Sequence, residues 1–526
     1  MMRAGSGRDR RAVHHRAPAA SGRRGLDHRP HVVVIGAGIA GLAAATGLAE
    51  RDIDVEIIER RPYLGGRVGG WTENLPDGTA IAINRGFHAF FRQYYNLRAL
   101  LRRTDPQLHR LVAIDDYPLI DGHGRRDTFR RLPRTPPWNA LAFAARSHTF
   151  PLQDLRRIDA RAAAPLAAVS VPGIYDLLDH TDAETFLQQI NFPATARHLA
   201  FDVFSRSFFA PPAQLSAAEL ATMFHIYFLG SSEGLLFDVP TSNYDTALWS
   251  PLQDYLISHD VRIRTGSTVT AVEPAGEGGF RVRAQDGRDI AADAVVLATD
   301  AAGLRRIVEN SPQLGDRVWR ASIERLRSAP PFLVYRIWLD KPVAPHRPAF
   351  LATGGLAPLD NVSVLNHYEQ QARTWAARHG GAVLELHAYA LPAQLTPAQE
   401  RDIPARLRAR LNRLYPETAD ARILGEHLQW NQDCPLFGVG DHAYRPTIRT
   451  PHRRLVLAGD GIRIDLPVAL MERAATTGWA AANALLTQWG LPGHDLHTVP
   501  TSGRNALLRR LATRYATATA PAEDLR

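Results

Sequence analysis

The sequence predicts an α/β fold, in which a Rossmann-like dinucleotide-binding domain is interleaved with a substrate domain of mixed α+β structure. Three observations predict it. A β-branched run at 31–35 passes through a glycine-rich turn into an alanine-rich helix at 41–50. A second strand follows at 54–58 and completes a βαβ opening. A distant strand at 455–458 runs into Gly-Asp-Gly, so the nucleotide-binding domain is assembled from separated segments.

The composition is that of a globular protein, with 45% hydrophobic and 22% charged residues. Its 526 residues suffice for about two to four domains. Cys434 is the only cysteine, which excludes an intrachain disulfide and a cysteine-ligated metal cluster. The histidines show no metal-binding spacing, so we expect no metal site. Residues 1–30 carry two thirds of the net charge of +9, so the rest of the chain gives little indication of nucleic acid binding.

Segment boundaries follow the changes in pattern. The arginine-rich residues 1–30 contain no apolar run, and we expect a disordered basic tail that is either merely solvated or attracted to anionic lipid. The sequence contains no run of about 18 apolar residues, so we expect no transmembrane helix. After the tail we expect nucleotide-binding segments at 31–120, 236–305 and 441–490, substrate-domain segments at 121–235 (mostly helical) and 306–440, and a C-terminal amphipathic segment and tail at 491–526.

The glycine-rich turn, Gly36-Ala37-Gly38-Ile39-Ala40-Gly41, is a G-x-G-x-x-G fingerprint between a strand and a helix. Gly36 allows the tight turn, Gly38 lets the backbone approach a pyrophosphate, and Gly41 lets the helix pack on the strand. Ile39 and Ala40 open the helix, whose N-terminal N–H groups attract phosphates. Glu59, next to Arg60 at the end of the second strand, can accept the ribose hydroxyls. These residues predict a dinucleotide site.

Three further features favour FAD over NAD. Gly65-Gly66-Arg67 follows the ribose-binding acid, and a glycine pair with arginine there is typical of flavoproteins in the amine oxidase and carotenoid desaturase group. Gly459-Asp460 resembles the second FAD motif, whose aspartate bonds the ribityl chain. Met471 lies where the next helix opens toward the flavin pyrimidine. Val269 lies on a segment whose backbone meets adenine in such folds, with a plain sheet strand as the equal alternative.

Longer strings carry a more specific resemblance. The block NRGFHAFFRQYYNL at 84–97 resembles the plant-type carotenoid desaturases and, more closely, the bacterial isorenieratene synthases, which are β-carotene desaturase/methylases. GGRVGGW, LPRTPPWNALAF and GDGIRIDLPVALMERA extend the resemblance from about residue 31 to 490. It implies an FAD-binding fold of the GR2 or amine oxidase type. Arg92 stands where the plant-type enzymes have glycine, which favours the aromatising branch.

The resemblance implies FAD-dependent dehydrogenation of a β-ionone ring, migration of one ring methyl, and aromatisation. We expect Arg85, Phe87, His88, Phe90 and Phe91 to reach the flavin face, with Arg85 and His88 as catalytic candidates. His88 could accept a proton because imidazole is neutral near pH 7. A hydrogen-bonded structural histidine is the alternative. Asp465 and Glu472 are the acids nearest the second flavin motif. Glu472 is a catalytic candidate, or equally a residue that complements the helix dipole.

A carotenoid substrate implies a tunnel and a membrane. Phe201, Phe204 and Phe208 fall on one helical face and predict either a tunnel lining or ordinary core. Since a lipophilic carotenoid resides in lipid, we expect a cytoplasmic enzyme bound peripherally to the inner face of the cell membrane. The basic amphipathic segment 504–515 is the candidate contact, or a surface helix packed on the body. Oxygen and quinone both fit as the electron acceptor, and no nucleic acid partner is expected.

Three other functions remain compatible with these motifs. One is another carotenoid dehydrogenase, such as a phytoene or ζ-carotene desaturase, or an isomerase of the same fold. Another is an amine oxidase, which would need an aromatic cage for a water-soluble amine. The third is a flavin- or carotenoid-binding protein without catalysis, whose flavin no substrate would reduce.

Overall fold

The computed structural model describes residues 9–19, 28–75, 78–150, 154, 156–193, 208–276, 278–504, 506 and 509–510. Over these residues, a five-stranded parallel sheet and a seven-stranded mixed sheet both contribute to the walls of one long cavity. Smaller sheets and a group of short helices complete the walls.

The strands of the described residues are, in chain order, β1 (Val13–His15), β2 (His31–Ile35), β3 (Asp54–Ile58), β4 (Gly70–Asn74), β5 (Ala80–Asn84), β6 (Phe90–Phe91), β7 (Leu111–Ala113), β8 (Leu119–Asp121), β9 (Arg126–Asp127), β10 (Phe237–Pro240), β11 (Arg262–Arg264), β12 (Val269–Ala275), β13 (Gly279–Ala284), β14 (Asp289–Ala292), β15 (Ala294–Leu297), β16 (Phe332–Leu339), β17 (Phe350–Gly354), β18 (Asn361–Val364), β19 (Ala382–Ala388), β20 (Ile423–Asn431), β21 (Leu455–Leu457) and β22 (Leu496–Thr498).

The α-helices of the same residues are α1 (Ile39–Ala49), α2 (Tyr95–Leu101), α3 (Trp138–Arg146), α4 (Ala164–Ala167), α5 (Gly173–Leu178), α6 (Ala183–Gln189), α7 (Ala217–Phe224), α8 (Ser250–Ile257), α9 (Ala301–Glu309), α10 (Arg317–Glu324), α11 (Gln370–His379), α12 (Pro397–Leu414) and α13 (Leu470–Gln488).

The five-stranded sheet is parallel, in the order β11-β3-β2-β15-β21. Its strands read as apolar runs because both faces are covered, and the valines of β2 are fully buried. On one face lies α1, which has no exposed side because α13 crosses it closely: a Cβ added to Gly478 would lie 2.3 Å from the carbonyl oxygen of Ala40. On the other face lie the antiparallel strands β12–β14 and α9. The predicted Rossmann-like arrangement is confirmed.

The seven-stranded sheet has the order β20-β16-β19-β18-β17-β8-β9. Strand β16 lies between β20 and β19 and is buried on both faces, and its residues alternate between them. Leu333, Tyr335 and Ile337 pack in one cluster with the apolar face of α12. Phe332 and Val334 point the other way and line the cavity. The sheet therefore forms a wall of the cavity. Its strand β8 crosses the predicted segment boundary at residue 120, and β9 lies just beyond that boundary.

The prediction of a disordered tail is wrong for residues 9–19. Strand β1 pairs antiparallel with β22, and the rings of His14 and His497 stack with centroids 4.7 Å apart. Asp9 is buried, and its carboxylate accepts a hydrogen bond of 2.5 Å from Arg504. The local sequence of the tail could not predict this pairing, because the partner strand β22 lies near the other end of the chain. None of the described helices is both long enough and apolar enough to cross a membrane.

Candidate functional site

One continuous cavity begins at the carboxyl ends of the parallel strands and reaches the face of the seven-stranded sheet. Its first part is polar and glycine-rich, and its second part is largely aromatic. Most of the residues predicted to bind the cofactor line the first part, namely Gly36, Gly38, Ile39, Ala40, Glu59, Arg60, Gly66, Arg67, Val269, Gly459, Asp460 and Met471.

The glycines of the first turn leave space that side chains would fill. Gly36 has φ +104°, and a Cβ there would lie 2.6 Å from the carbonyl oxygen of Ala298. A Cβ on Gly38 would meet nothing within 4 Å, so its Cα faces the open cavity. Gly66, with φ +57°, lies opposite, and its Cβ would approach the Cα of Gly38 to 3.1 Å. This bare backbone beside a helix N-terminus has the form of a pyrophosphate cradle.

Gly41 is the one predicted cofactor residue that does not line the cavity. A Cβ on Gly41 would lie 1.9 Å from the carbonyl oxygen of Gly36 and 3.3 Å from the Cβ of Ala298. Its place is therefore at the contact between α1 and the sheet. This is the packing role that the third glycine of the fingerprint has on physical grounds.

The Glu59 carboxylate is held at the end of β3 by two backbone donors. The N–H groups of Ala37 and Arg61 each donate to it at 2.7 Å. Arg60 forms an ion pair of 2.5 Å with Asp300, which caps the N-terminus of α9. The carboxylate is thus fixed at the cavity wall, where further donors such as ribose hydroxyls can reach its remaining lone pairs.

Arg67 and Asp460 join the two glycine-containing motifs. The guanidinium donates to both carboxylate oxygens, at 2.9 and 2.5 Å. The Gly459 that precedes the aspartate is bound in turn to α13, since its N–H donates to the hydroxyl of Thr477 at 2.9 Å. A bidentate pair of this kind fixes orientation as well as charge. The distant strand that the sequence indicated is therefore part of the same site.

Arg85 lines the cavity, but its charge is already paired. It donates to Asp433 at 2.9 and 3.2 Å and to Asn431 at 2.5 Å. Burial raises the pKa of the Asp433 carboxyl, but Arg85 and Arg67 together hold it below its usual range. Arg85 is therefore a wall residue with a fixed orientation.

His88 lines the cavity and is neutral. Its Nδ1 lies 3.0 Å from the carbonyl oxygen of Gly86, and because a carbonyl only accepts, Nδ1 carries the proton. Burial lowers the pKa of His88 to about 4, and the positive charges of Arg67 and Arg85 act in the same direction. Nε2 is consequently left with a free lone pair on a residue of the cavity wall.

The structure contradicts the catalytic assignment of Glu472. This residue is buried and does not line the cavity. Its carboxylate accepts the backbone N–H groups of Asn96 and Leu97 at 2.8 and 2.9 Å, and the Asn96 side chain at 2.8 Å. Glu472 therefore complements the N-terminus of α2, and not only that of its own helix α13, because α2 packs on α13 at this point.

The aromatic part of the cavity is built from strands and loops of both predicted domains, with Phe87, Tyr117 and Phe237 from nucleotide-binding segments and Phe129 and Phe350 from substrate segments. Phe87 lies 4.2 Å from Phe350 and 5.4 Å from Phe237, measured between ring centroids. Tyr117 lies 5.2 Å from Phe129 and 5.3 Å from Phe350. Such edge and tilted pairs contribute about 0.5–1.5 kcal/mol each beyond the burial of their surface. The pairs make a rigid apolar sleeve next to the glycine cradle.

A buried hydrogen-bonded chain ends at the aromatic part. The hydroxyl of Tyr389 is hydrogen-bonded to Nδ1 of His387, whose Nε2 lies 2.8 Å from Glu385. Because a carboxylate only accepts, Nε2 carries the proton, and Nδ1 accepts from Tyr389. Burial alone would raise the pKa of Glu385, but Arg336 and His387 lower it to about 2. Tyr389 and His387 line the cavity.

Sequence reasoning did not identify this chain or most of the aromatic sleeve, because their members come from strands far apart in sequence. Alternation in β19 puts Glu385 and His387 on one face, which was the available signal. Of the predicted phenylalanine stripe, Phe208 is buried and lines the cavity, whereas Phe201 and Phe204 lie outside the described residues. Cys434 also lines the cavity, and burial raises its thiol pKa to about 12.

Comparison with known proteins agrees with this architecture. A model of the family of flavin-containing amine oxidoreductases matches residues 39–486. The carotenoid phi-ring synthase of Streptomyces griseus is 56% identical over 506 residues, which cover 96% of this chain and 97% of that protein. The zeta-carotene desaturase of Synechocystis sp. is 25% identical over 86% of this chain and 97% of its own length.

Among solved structures, a triple mutant of putrescine oxidase superposes with a TM-score of 0.64 at 18% identity, covering 88% of this chain and 99% of that one. At this identity the likeness concerns the fold, and it confirms the predicted amine oxidase-type architecture. The residues of the cradle also fit FAD. Gly38 and Gly66 leave room for the diphosphate, and the Glu59 and Asp460 carboxylates lie at the cavity wall for hydroxyl groups.

Proposed function

We propose that this chain, which belongs to the flavin-containing amine oxidoreductases and within them to the FAD-binding carotenoid desaturases, aromatises β-ionone rings of carotenoids with migration of one methyl group. The observation that carries the proposal is the continuity of the glycine cradle with an aromatic sleeve. The 56% identity to a carotenoid phi-ring synthase supports the same reaction class.

The reaction removes two hydrides and two protons from each ring. Loss of the first hydride leaves a ring cation, one geminal methyl migrates to the neighbouring cationic carbon, and a proton leaves. A second loss of hydride and proton completes the aromatic ring, with all carbons retained. FAD, when bound, supplies the hydride acceptor. The protein itself must position the ring, exclude water and receive the protons.

The aromatic sleeve suits a substrate that becomes cationic. The faces of Phe87, Tyr117 and Phe350 can each stabilise a nearby cation by about 0.5–2 kcal/mol without offering a nucleophile. Because these rings contact one another, the sleeve can keep water from a cation that would otherwise be trapped as an alcohol.

Nε2 of His88 is our proposed first proton acceptor. A carbon acid next to a carbocation is strongly acidic, so a base whose pKa is lowered to about 4 is strong enough. Its neutrality also means that no positive charge on this residue opposes formation of the ring cation. The proton that Nδ1 shares with Gly86 fixes the ring so that Nε2 stays available.

The chain Tyr389–His387–Glu385 is our proposed second acceptor. The phenol oxygen accepts the substrate proton while its own proton passes to Nδ1 of His387, and Glu385 stabilises the resulting imidazolium. Asn361 donates to the same phenol oxygen at 3.0 Å and orients it. Two separate acceptors suit a reaction that releases two protons from different ring carbons.

We also propose that the enzyme acts at the cytoplasmic face of the cell membrane, because its carotenoid substrate resides in lipid. Either oxygen or a membrane quinone would reoxidise the flavin. These expectations follow from the proposed substrate.

The proposal is tested by anaerobic flavin reduction. Purified FAD-loaded protein is mixed with β-carotene in lipid vesicles, with the acyclic carotene lycopene, or with putrescine. We expect β-carotene alone to bleach the oxidised flavin spectrum. Bleaching by putrescine would instead identify an amine oxidase, bleaching by lycopene alone would identify a desaturase of acyclic carotenes, and bleaching by none of them would contradict catalysis on all three.

A further inference from the structure

Helix α3 presents an unpartnered apolar face to solvent. Trp138 is 63% exposed and Leu141 is 48% exposed. They are three positions apart, so they lie on the same side of the helix. Large apolar side chains exposed together in this way mark a surface that contacts something other than water.

The opposite face of α3 covers the aromatic sleeve. Phe143 stacks on Phe129 with ring centroids 5.0 Å apart and planes inclined by 7°, and Phe129 lines the cavity. Asn139 is fully buried, and its side chain donates to the carbonyl oxygen of Phe228, another lining residue, at 2.8 Å. The helix is therefore a roof, with the cavity beneath it and the exposed apolar face above.

Positive charge surrounds the exposed face. Residues 128–150 contain four arginines and no acidic residue. Arg130, Arg131 and Arg146 are exposed, and within the described part of the chain no carboxylate lies within 4.0 Å of them. The nearest acid in sequence, Asp127, is buried, and it is bound by the Ser147 and Thr149 hydroxyls and the His148 backbone.

We propose that this roof surface, comprising α3 with Arg146 at its end and the adjacent Arg130 and Arg131, docks on an anionic lipid bilayer. Trp138 and Leu141 insert at the boundary between headgroups and acyl chains, and the arginines contact lipid phosphates. A bilayer suits the surface because an apolar centre rimmed by cations matches an interface that is apolar inside and anionic outside. This inference rests on the proposed function for the reason to dock, since a carotenoid would enter the sleeve beneath the roof.

Vesicle flotation tests the proposal. The full-length FAD-loaded protein is mixed with vesicles of phosphatidylglycerol and phosphatidylethanolamine, or of phosphatidylcholine alone. We expect binding to the anionic vesicles, weakened about ten-fold or more by Trp138→Ser with Leu141→Ser. Arg130→Ser with Arg131→Ser should weaken the binding and reduce its salt dependence. The matched control is Val318→Ser on α10, at a residue 81% exposed, which should bind as the wild type does.

Flavin content and thermal unfolding of each variant establish that it is folded. Folded Trp138 and Leu141 variants that float as well as the wild type would overturn the proposal. Size-exclusion chromatography in which the wild type elutes as a dimer and these variants elute as monomers would also overturn it. An assay with detergent-dispersed β-carotene distinguishes the docking proposal from the proposed function. Because no bilayer is needed to deliver the substrate, the variants should convert it at the wild-type rate. Loss of flotation with retained conversion supports both claims, and flotation effects without conversion by any form would overturn only the proposed function.

Discussion

Arg67 and Asp460 form a two-bond salt bridge although 393 positions separate them in the chain. The arginine follows the first glycine motif, and the aspartate follows the strand that completes the parallel sheet. The pair therefore joins the first and the last segments of the nucleotide-binding domain at the FAD site. Its integrity should be visible as retained flavin.

Asp460→Asn should lower FAD affinity about ten-fold or more, equivalent to about 1.4 kcal/mol, because Arg67 loses its counter-charge and an NH2 donor replaces one of the two acceptor oxygens. The measurement is the ratio of flavin to protein after purification and after titration with FAD. Asp465→Asn is the control, since Asp465 is half-exposed, accepts a hydrogen bond from Arg463 at 3.0 Å and does not line the cavity. Equal flavin retention in both variants would contradict the assignment.

Gly38→Ala and Gly41→Ala should fail in different ways. The methyl group at Gly38 enters open cavity, so the protein should fold with near wild-type stability and lose FAD affinity. The methyl group at Gly41 meets backbone 1.9 Å away, so it should destabilise the fold by about 1–3 kcal/mol or more. Denaturant unfolding of the flavin-free proteins checks this, and a destabilised Gly38→Ala variant with normal FAD binding would contradict it.

His88→Gln should lower the rate of ring conversion about 10²-fold or more while leaving FAD bound, because the general base is lost. Quantified product per bound flavin is the measurement, and His346→Gln, at an exposed residue outside the cavity, is the control. Wild-type turnover by the His88 variant would remove this residue from the proposed chemistry.

The pH dependence follows from the neutral state of His88. Since its pKa is lowered to about 4, activity should be insensitive to its titration above pH 6 and fall as the pH approaches 4. The unfolded chain binds this proton already below about pH 6.5, so the contribution of His88 to stability should decrease as the pH falls from 6.5 to 4. Denaturant unfolding of wild type and His88→Gln across this range measures the difference.

Tyr389→Phe should slow aromatisation about ten-fold or more, and partly dehydrogenated rings should accumulate. It should also cost about 1–3 kcal/mol of stability, because buried His387 and Asn361 lose a hydrogen-bond partner. The readout is the proportion of intermediates to aromatic product. Tyr415→Phe is a suitable control, because the Tyr415 hydroxyl is buried without a hydrogen-bond partner among the described residues and does not line the cavity. An unchanged product ratio in Tyr389→Phe would exclude the second acceptor.

Glu472→Ala should reduce stability rather than chemistry. It removes the acceptor of two backbone N–H groups at the start of α2, which costs about 1–3 kcal/mol. Thermal and denaturant unfolding measure this loss, and turnover per bound flavin at low temperature should stay near the wild-type value. A large loss of turnover in a fully folded variant would restore Glu472 to the catalytic machinery.

The position of the nucleotide site was predictable because the residues that form it stand in short sequence motifs. Gly36, Gly38 and Glu59 line the cavity at a turn and a strand end that the sequence pattern identifies, and Asp460 follows another recognisable strand. The role of Glu472 was not predictable, because Asn96, on the helix that it complements, lies 376 positions earlier. Spacing along a chain does not reveal which helix packs on which.

For the aromatic part of the cavity, the sequence predicted the type of residue but not most of the residues themselves. The phenylalanine stripe that includes Phe208 predicted either a tunnel lining or ordinary core. The rings of Phe129, Phe237 and Phe350 in the cavity wall converge instead from separate strands and loops. The chain from Tyr389 to Glu385 depends on alternation within β19 and on the neighbour β16 that supplies Arg336. Strand order is set by tertiary structure, so the local sequence pattern does not predict it.

The most direct test of the central claim is pigment analysis by liquid chromatography and mass spectrometry, after expression of this chain in a bacterium that accumulates β-carotene. The account predicts products that keep all forty carbons and lack four hydrogens for one converted ring, or eight for two. Unchanged β-carotene in cells that contain folded, FAD-loaded protein would contradict it.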